Sequence, residues 1–186
     1  MTTARALSIG FVGNVVTNPF GKVSGRLADL ADASCEHFPI GQIEQVLAGP
    51  ASVDVLIVHL DHRWYFDVAP DAGAVARARA LAELVSARLE RGPGTVILNT
   101  VPFVPVSSVE SDLHDQLEAL ARVNAVLFDL ARSQERVSVV DAAGALAILG
   151  FANAFRERNR LLYQMPYAPA AVEALVERLS RDNDPI

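Results

Sequence analysis

Apolar and polar positions along the chain alternate between two periods, and each change of period marks an element. Leu7 to Val12 is a short apolar run that ends at Gly13-Asn14, the pattern of a strand entering a tight loop. Val23, Leu27 and Leu30 then recur at helical spacing. Ser34 to Ile40 reads as a second strand stopping at Gly41, and Ile43, Val46 and Leu47 as a short helix closed by Gly49-Pro50. Val53 to Leu60 is apolar on both faces, as a strand inside a parallel sheet must be. Asp71 to Arg91 is rich in alanine and ends at Gly92-Pro93-Gly94, which predicts a long helix. Thr95 to Asn99 predicts a fourth strand, with a loop through Pro102 to Pro105 behind it. Asp112 to Ser133 carries Leu113, Leu117, Leu120, Leu127 and Phe128 as a helical stripe, with Ser111 as its cap. Val137 to Val140 is a fifth strand ending at Asp141, and Ala170 to Leu179 a final amphipathic helix.

Five strands separated by helices, with no internal repeat and no Ser/Gly linker, predict one α/β domain spanning residues 1–186. The architecture that buries both faces of such strands is a three-layer α/β/α sandwich around a parallel sheet. Ligands of these folds gather at the carboxyl ends of the strands. The loops that reach that edge are Gly13 to Asn18, Gly41-Gln42, Asp61 to Trp64, Asn99-Thr100, Asp141 and the irregular stretch Phe151 to Tyr167.

Composition narrows the function classes. Of 186 residues, 51% are hydrophobic and 20% charged, so the chain can bury a core, and intrinsic disorder is excluded. The longest apolar runs are of strand length, far short of the ~20 residues of a membrane helix, and the N-terminus has no secretory pattern. A formal charge of -6 argues against a nucleic-acid surface. One cysteine, Cys35, excludes an internal disulfide and fits a reducing cytoplasm.

The candidate chemistry is sparse. Gly10 and Gly13 lack the further glycines of a phosphate-binding loop, so no nucleotide cofactor is expected. Of the histidines His37, His59, His62 and His114, only His59 and His62 cluster, with Asp61 between them, and a strand would point His62 away from the other two. No metal site is expected. Cys35 and His37 share a strand face, but a strand cysteine is more often a small buried hydrophobe than a nucleophile. Asp61-His62-Arg63-Trp64-Tyr65 is the loop densest in polar chemistry, and it reads equally as a site or as a loop cap in which Asp61 pairs with Arg63. Arg156-Glu157-Arg158-Asn159-Arg160 reads either as a solvated helix turn or as an anion clamp.

Several phrases together resemble a known family. Phe11-Val12-Gly13-Asn14, Ile40-Gly41-Gln42-Ile43, Val53 to Val58, the helix around Asn124, Val140-Asp141, and Arg158 with Met165-Pro166-Tyr167 are similar to the SGNH-hydrolase fold. More closely, they resemble the N-terminal SGNH-like half of FkbH-type proteins, two-domain biosynthetic proteins whose second half is a haloacid-dehalogenase-like (HAD-like) domain. The resemblance implies the strand order 2-1-3-4-5. It also exposes departures. The Gly-Asp-Ser step that supplies the nucleophile of SGNH hydrolases reads Gly13-Asn14-Val15 here, and valine has no hydroxyl. The oxyanion-supporting Asn of the third block falls near Arg63, and Met165-Pro166-Tyr167 stands where the base His precedes the last helix. The expected site therefore binds rather than attacks, through Asn14, the Gly41 amide, Asp61, His62, Arg63, Asn99 and Arg158. The implied role is a non-hydrolytic subunit paired with a HAD-like partner, acting on a carrier-bound small molecule that bears phosphate or sulfate, by transfer or intramolecular displacement. An acyl or amino carrier protein is then a further partner. The competing readings are a stand-alone hydrolase with a relocated nucleophile, Ser107 or Ser108, and an inert docking module.

Overall fold

The computed structural model of the chain describes residues 7–24, 33–50, 52–66, 72–102 and 113–181. Its strands are β1 (Ser8–Gly13), β2 (Ser34–His37), β3 (Val55–His59), β4 (Thr95–Asn99) and β5 (Val137–Val140). They form one sheet in the order β2-β1-β3-β4-β5, and every pair is parallel. Fold class and strand order agree with the expectation.

The strands' alternation sorts the core into two layers. Val12, Leu56, Val58, Val96 and Leu98 face α2 (Ile43–Ala48), α3 (His62–Phe66), α4 (Ala72–Arg91) and α5 (Leu113–Ser133). Ile9, Phe11, Ile57, Ile97 and Val140 face α1 (Asn18–Ser24), α6 (Ala142–Leu149) and α9 (Pro169–Arg181). Two short helices, α7 (Phe151–Ala154) and α8 (Glu157–Tyr163), precede α9. At the amino edge of the sheet, Ser8 clasps Asp54: its N–H and hydroxyl donate to Asp54 Oδ2 at 2.9 and 2.6 Å. That clasp fixes the β1–β3 register in which Gly13 lies opposite His59.

The structure departs from the sequence expectation in four places, each with a local cause. β2 stops at His37 rather than Ile40; Phe38 N–H still reaches Phe11 O at 2.9 Å, but Pro39 has no N–H to continue the ladder. The polar loop after β3 is helical from His62 onward. Ala142–Leu149 is a helix so uniformly apolar that it carries no 3.6-residue period to read. The stretch Phe151 to Tyr167, expected to be irregular, holds α7 and α8, tied back by an antiparallel bridge between Phe155 and Tyr167. Leu27, Leu30, Asp71, Ser111 and Asp112 lie outside the described residues.

β1 and β3 approach so closely at the carboxyl edge that a Cβ on Gly13 would sit 2.2 Å from the backbone oxygen of His59. Neither atom can move without parting the strands, so Gly13→Ala is expected to cost at least about 2 kcal/mol. Urea denaturation beside wild type measures it, with Gly41→Ala as a comparison governed by backbone conformation alone (φ +80, nothing within 4 Å).

Candidate functional site

The carboxyl edge is organised around one carboxylate. Asp61 leaves β3 2% exposed. Asn14, leaving β1, grips it from one side: Asn14 Nδ2 donates to Asp61 Oδ1 at 2.5 Å, and Asp61 N–H donates to Asn14 Oδ1 at 2.9 Å. Arg63, in the first turn of α3, grips it from the other. Its backbone N–H donates to Asp61 Oδ1 at 3.1 Å and its Nε to Oδ2 at 2.8 Å, with an Nη2 contact and ion pair to the same oxygen. A carboxylate so far from water is tolerable only with this number of donors. The Arg63 side chain is 22% exposed and Asn14 is half-buried, so solvent reaches the triad at its two flanks and not at Asp61.

Other expected site residues are brought close but already engaged. Gly41 N–H donates to Gly13 O at 3.2 Å. Asn99 serves the backbone next to Asp61: Oδ1 accepts from Leu60 N–H at 2.9 Å, while Nδ2 donates to the Leu60 and Thr100 carbonyls, both at 2.9 Å. It thereby extends the β3–β4 ladder one step beyond the strands. Asp141 caps α6, accepting from Gly144 N–H at 2.9 Å and from the Thr100 hydroxyl at 3.3 Å. Of the donors assigned from sequence to an incoming oxyanion, those of Asn14, Gly41 and Asn99 and the Nε and Nη2 of Arg63 are therefore occupied by the chain itself. The loop-cap pairing of Asp61 with Arg63, one of the two readings open from sequence, is the arrangement observed. His62 begins α3 and is half-buried. Trp64 is covered by the Arg77 guanidinium, 4.7 Å from its ring centroid. Arg158 is exposed on α8, apart from the triad's hydrogen bonds.

The Cys35–His37 pair does not assemble either. Cys35 is exposed, not the buried hydrophobe expected, and desolvation raises its thiol pKa, the wrong direction for a nucleophile. His37 stacks on Phe11 with centroids 5.1 Å apart, its Nδ1 3.0 Å from Thr17 Oγ1. Val15, at the nucleophile step, is a core residue of the α1/α9 layer. Ser107 and Ser108 lie outside the described residues.

Sequence reasoning missed a buried pair. His59 and Tyr167 meet across 108 positions, Nε2 to hydroxyl at 2.9 Å, with Phe20 tilted on the imidazole at 4.9 Å. Burial pushes His59 down to about 4, the Asp61 carboxylate partly opposing it. Burial also raises Tyr167, and Asp61 raises it further while Arg63 opposes. The phenol therefore stays protonated beside a neutral imidazole, and the hydrogen bond between them joins two uncharged groups. Tyr167 belongs to the Met165-Pro166-Tyr167 stretch that the resemblance sets against the base, and here it fastens the start of α9 to β3. Beside the pair is a cavity of about 10 Å³ lined by Phe11, Ile57, His59 and Asn99, room for about one water. A wider apolar cleft of about 420 Å³ lies between α5 and α6, lined by Val101, Leu120, Asn124, Leu146 and Phe155. Among the described residues no group of three or more His, Cys, Asp and Glu could hold a metal, and no helix is long and apolar enough to cross a membrane.

This arrangement of sheet and loops recurs in solved structures. The chain is similar to the N-terminal part of BF1531 from Bacteroides fragilis, a part containing a phosphatase domain and crystallised with Mg, at 16% identity and a TM-score of 0.79. The match covers 96% of this chain and 51% of that one, so the chain spans about half the length of this neighbour. Axe2, an acetylxylan esterase from Geobacillus stearothermophilus, matches at 13% identity and a TM-score of 0.65, over 98% of this chain and 96% of the esterase. A lipolytic protein of the G-D-S-L family from Veillonella parvula matches at 12% and 0.60, over 94% and 96%. The fold is SGNH-like. No family profile matches the sequence, and no curated protein sequence does.

Two outcomes follow from the buried groups. His59 is neutral in the folded chain and protonates near pH 6.5 when unfolded. Stability is therefore fully present above about pH 6.5 and declines as the pH falls towards about 4, by about 3 kcal/mol in all. Urea midpoints measured across that interval should fall for wild type and much less for His59→Phe. Asp61→Asn sets amide donors against donors of Asn14 and Arg63, and is expected to cost about 2–4 kcal/mol near neutral pH. The same denaturation assay reads it.

Proposed function

We propose that the chain is the non-hydrolytic SGNH-like half of a two-component enzyme. It would bind a small, carrier-linked substrate through a phosphate or sulfate group, while a phosphatase-type, HAD-like protein works beside it. The observation that carries this reading is the triad Asn14–Asp61–Arg63. It stands at the carboxyl edge of an esterase-like fold, yet it has a valine at the step that the resemblance assigns to the nucleophile, and the Gly41 amide there is bonded to Gly13 O. Such a site has nothing to attack with. It has one guanidinium, held at a fixed angle by a buried carboxylate and turned partly to solvent, which suits the planar recognition of an oxyanion.

Within this reading the roles are distinct. Arg63 contacts the anion; Asn14 and Asp61 position it; Gly41 and Asn99 hold the loops that carry them, and His62 lines the same edge. Arg158 belongs to a separate surface. The FkbH-type resemblance supports the biosynthetic setting, the HAD-like partner, the carrier protein, and transfer or intramolecular displacement as the reaction. The similarity to about half of the N-terminal part of BF1531, a part that contains a phosphatase domain, supports the partner's class.

Sulfate or phosphate should raise the melting temperature of wild type by a few degrees at saturating concentration and that of Arg63→Ala not at all; equal shifts in both would remove Arg63 from the site. The purified chain should leave p-nitrophenyl acetate at its background rate of hydrolysis. Saturable turnover, lost in Ser107→Ala or Ser108→Ala, would instead favour the relocated-nucleophile hydrolase.

A further inference from the structure

α5 packs on one face of the sheet and α6 on the other, and the two part at the carboxyl edge, where the cleft of about 420 Å³ opens beside the exits of β4 and β5. Val101, Leu120 and Leu146 form its floor, none more than 8% exposed, while Leu117, Ala121 and Ala147 on the rim are exposed. Folded chains rarely leave a space much larger than a water molecule against their core residues. A helix in an outer layer also normally turns a polar face to solvent. α6 does not: Ala142–Leu149 has no polar side chain, yet Ala147 and Ile148 are exposed, the latter at 89%. The unfilled space and the uniformly apolar helix meet at Ala147.

The lining decides what can fill the space. Among the described residues Asn124 is its one polar side chain, and both ends of that amide are engaged with Val101: Oδ1 accepts from the N–H at 2.8 Å, and Nδ2 donates to the carbonyl at 3.3 Å. No charged side chain lines it among the described residues. An occupant is therefore selected by apolar area and shape, and a polar or ionic group placed there would lose its hydration without gaining a partner. The volume lies within the ~300–1,000 Å³ of small-molecule sites. An apolar cavity of about 150 Å³ takes one benzene, so this cleft has room for about ten carbons. Its position matches too, since parallel sheets gather ligands at the carboxyl ends of their strands.

We propose that the cleft between α5 and α6 is a binding site for an acyl or alkyl chain of medium length, seated on Val101, Leu120 and Leu146. The site is separate from the Asp61 triad and does not depend on the anion reading of Arg63.

Calorimetric titration of the chain with 1-hexanol, 1-octanol and octanoate tests it, with light scattering on the chain alone. Each buried CH₂ tightens binding about fourfold, so 1-octanol should bind at least about tenfold more tightly than 1-hexanol. With no cation in the lining, octanoate should bind no more tightly than 1-octanol. Ala121→Trp and Ala147→Trp, at exposed positions on different helices, fill the cleft from opposite sides. Each should melt with wild type and weaken 1-octanol binding at least about tenfold, and either alone carries the test. Leu162→Ser, which removes an exposed leucine on α8 instead, should bind as wild type does. No binding by wild type, equal affinity for the two alcohols, tighter binding of octanoate, or binding that survives both tryptophan substitutions or is lost in Leu162→Ser would each overturn the proposal. So would a concentration-dependent dimer that Ala147→Trp abolishes, which would assign the cleft to a second copy. None of these results bears on the sulfate response of Arg63.

Discussion

The Asp61 carboxylate sits 2% exposed at the exit of β3, and leaving it there without partners would cost more than most single side chains contribute. The neighbouring chain meets that demand from two directions. Asn14 comes from the end of β1, where the Gly13–His59 register and the close strand approach leave no freedom of position. Arg63 comes from the first turn of α3, two residues on, with both its backbone N–H and its guanidinium turned to the same group. The carboxylate thus holds together the β1 exit, the β3 exit and the start of α3. Its field reaches the next layer too, opposing the burial shift of His59 and adding to that of Tyr167.

The same edge in a working SGNH hydrolase would expose a nucleophile, an oxyanion pocket and a base. At the positions that the resemblance assigns to them, this chain holds structure instead. Val15 is core, the Gly41 amide closes on Gly13 O, and Tyr167 is bonded to His59 beneath the surface. A guanidinium buttressed as Arg63 is by Asp61 is already ordered, so any contact it makes carries a lower entropic cost than one from a mobile side chain.

Much of the fold was legible in the amino-acid order, because burial in a parallel sheet demands runs such as Val53 to Leu60 and because Gly-Pro steps end the helices between them. The long helices α4 and α5 declared themselves by alanine content and by an apolar stripe. The absence of a nucleophile at Val15 was likewise a matter of residue identity alone. Ala142–Leu149 was not legible, since a helix apolar on every side has no period, and neither was α3, whose five residues are too few to show one.

The site divides in the same way. Sequence by itself determined which groups stand at the carboxyl edge, Asn14, Asp61, Arg63 and Asn99 among them, because each closes a strand or lies within four residues of a strand's end. Tertiary structure alone decided what those groups face. The partners of Asp61 lie 47 positions before it and two after, those of Asn99 lie 39 positions before it and one after, and His59 meets Tyr167 across 108. Hydrogen-bond donors have no sequence period and act over about 3 Å, so a choice between binding a ligand and binding the chain itself is made only when the strands have been laid side by side.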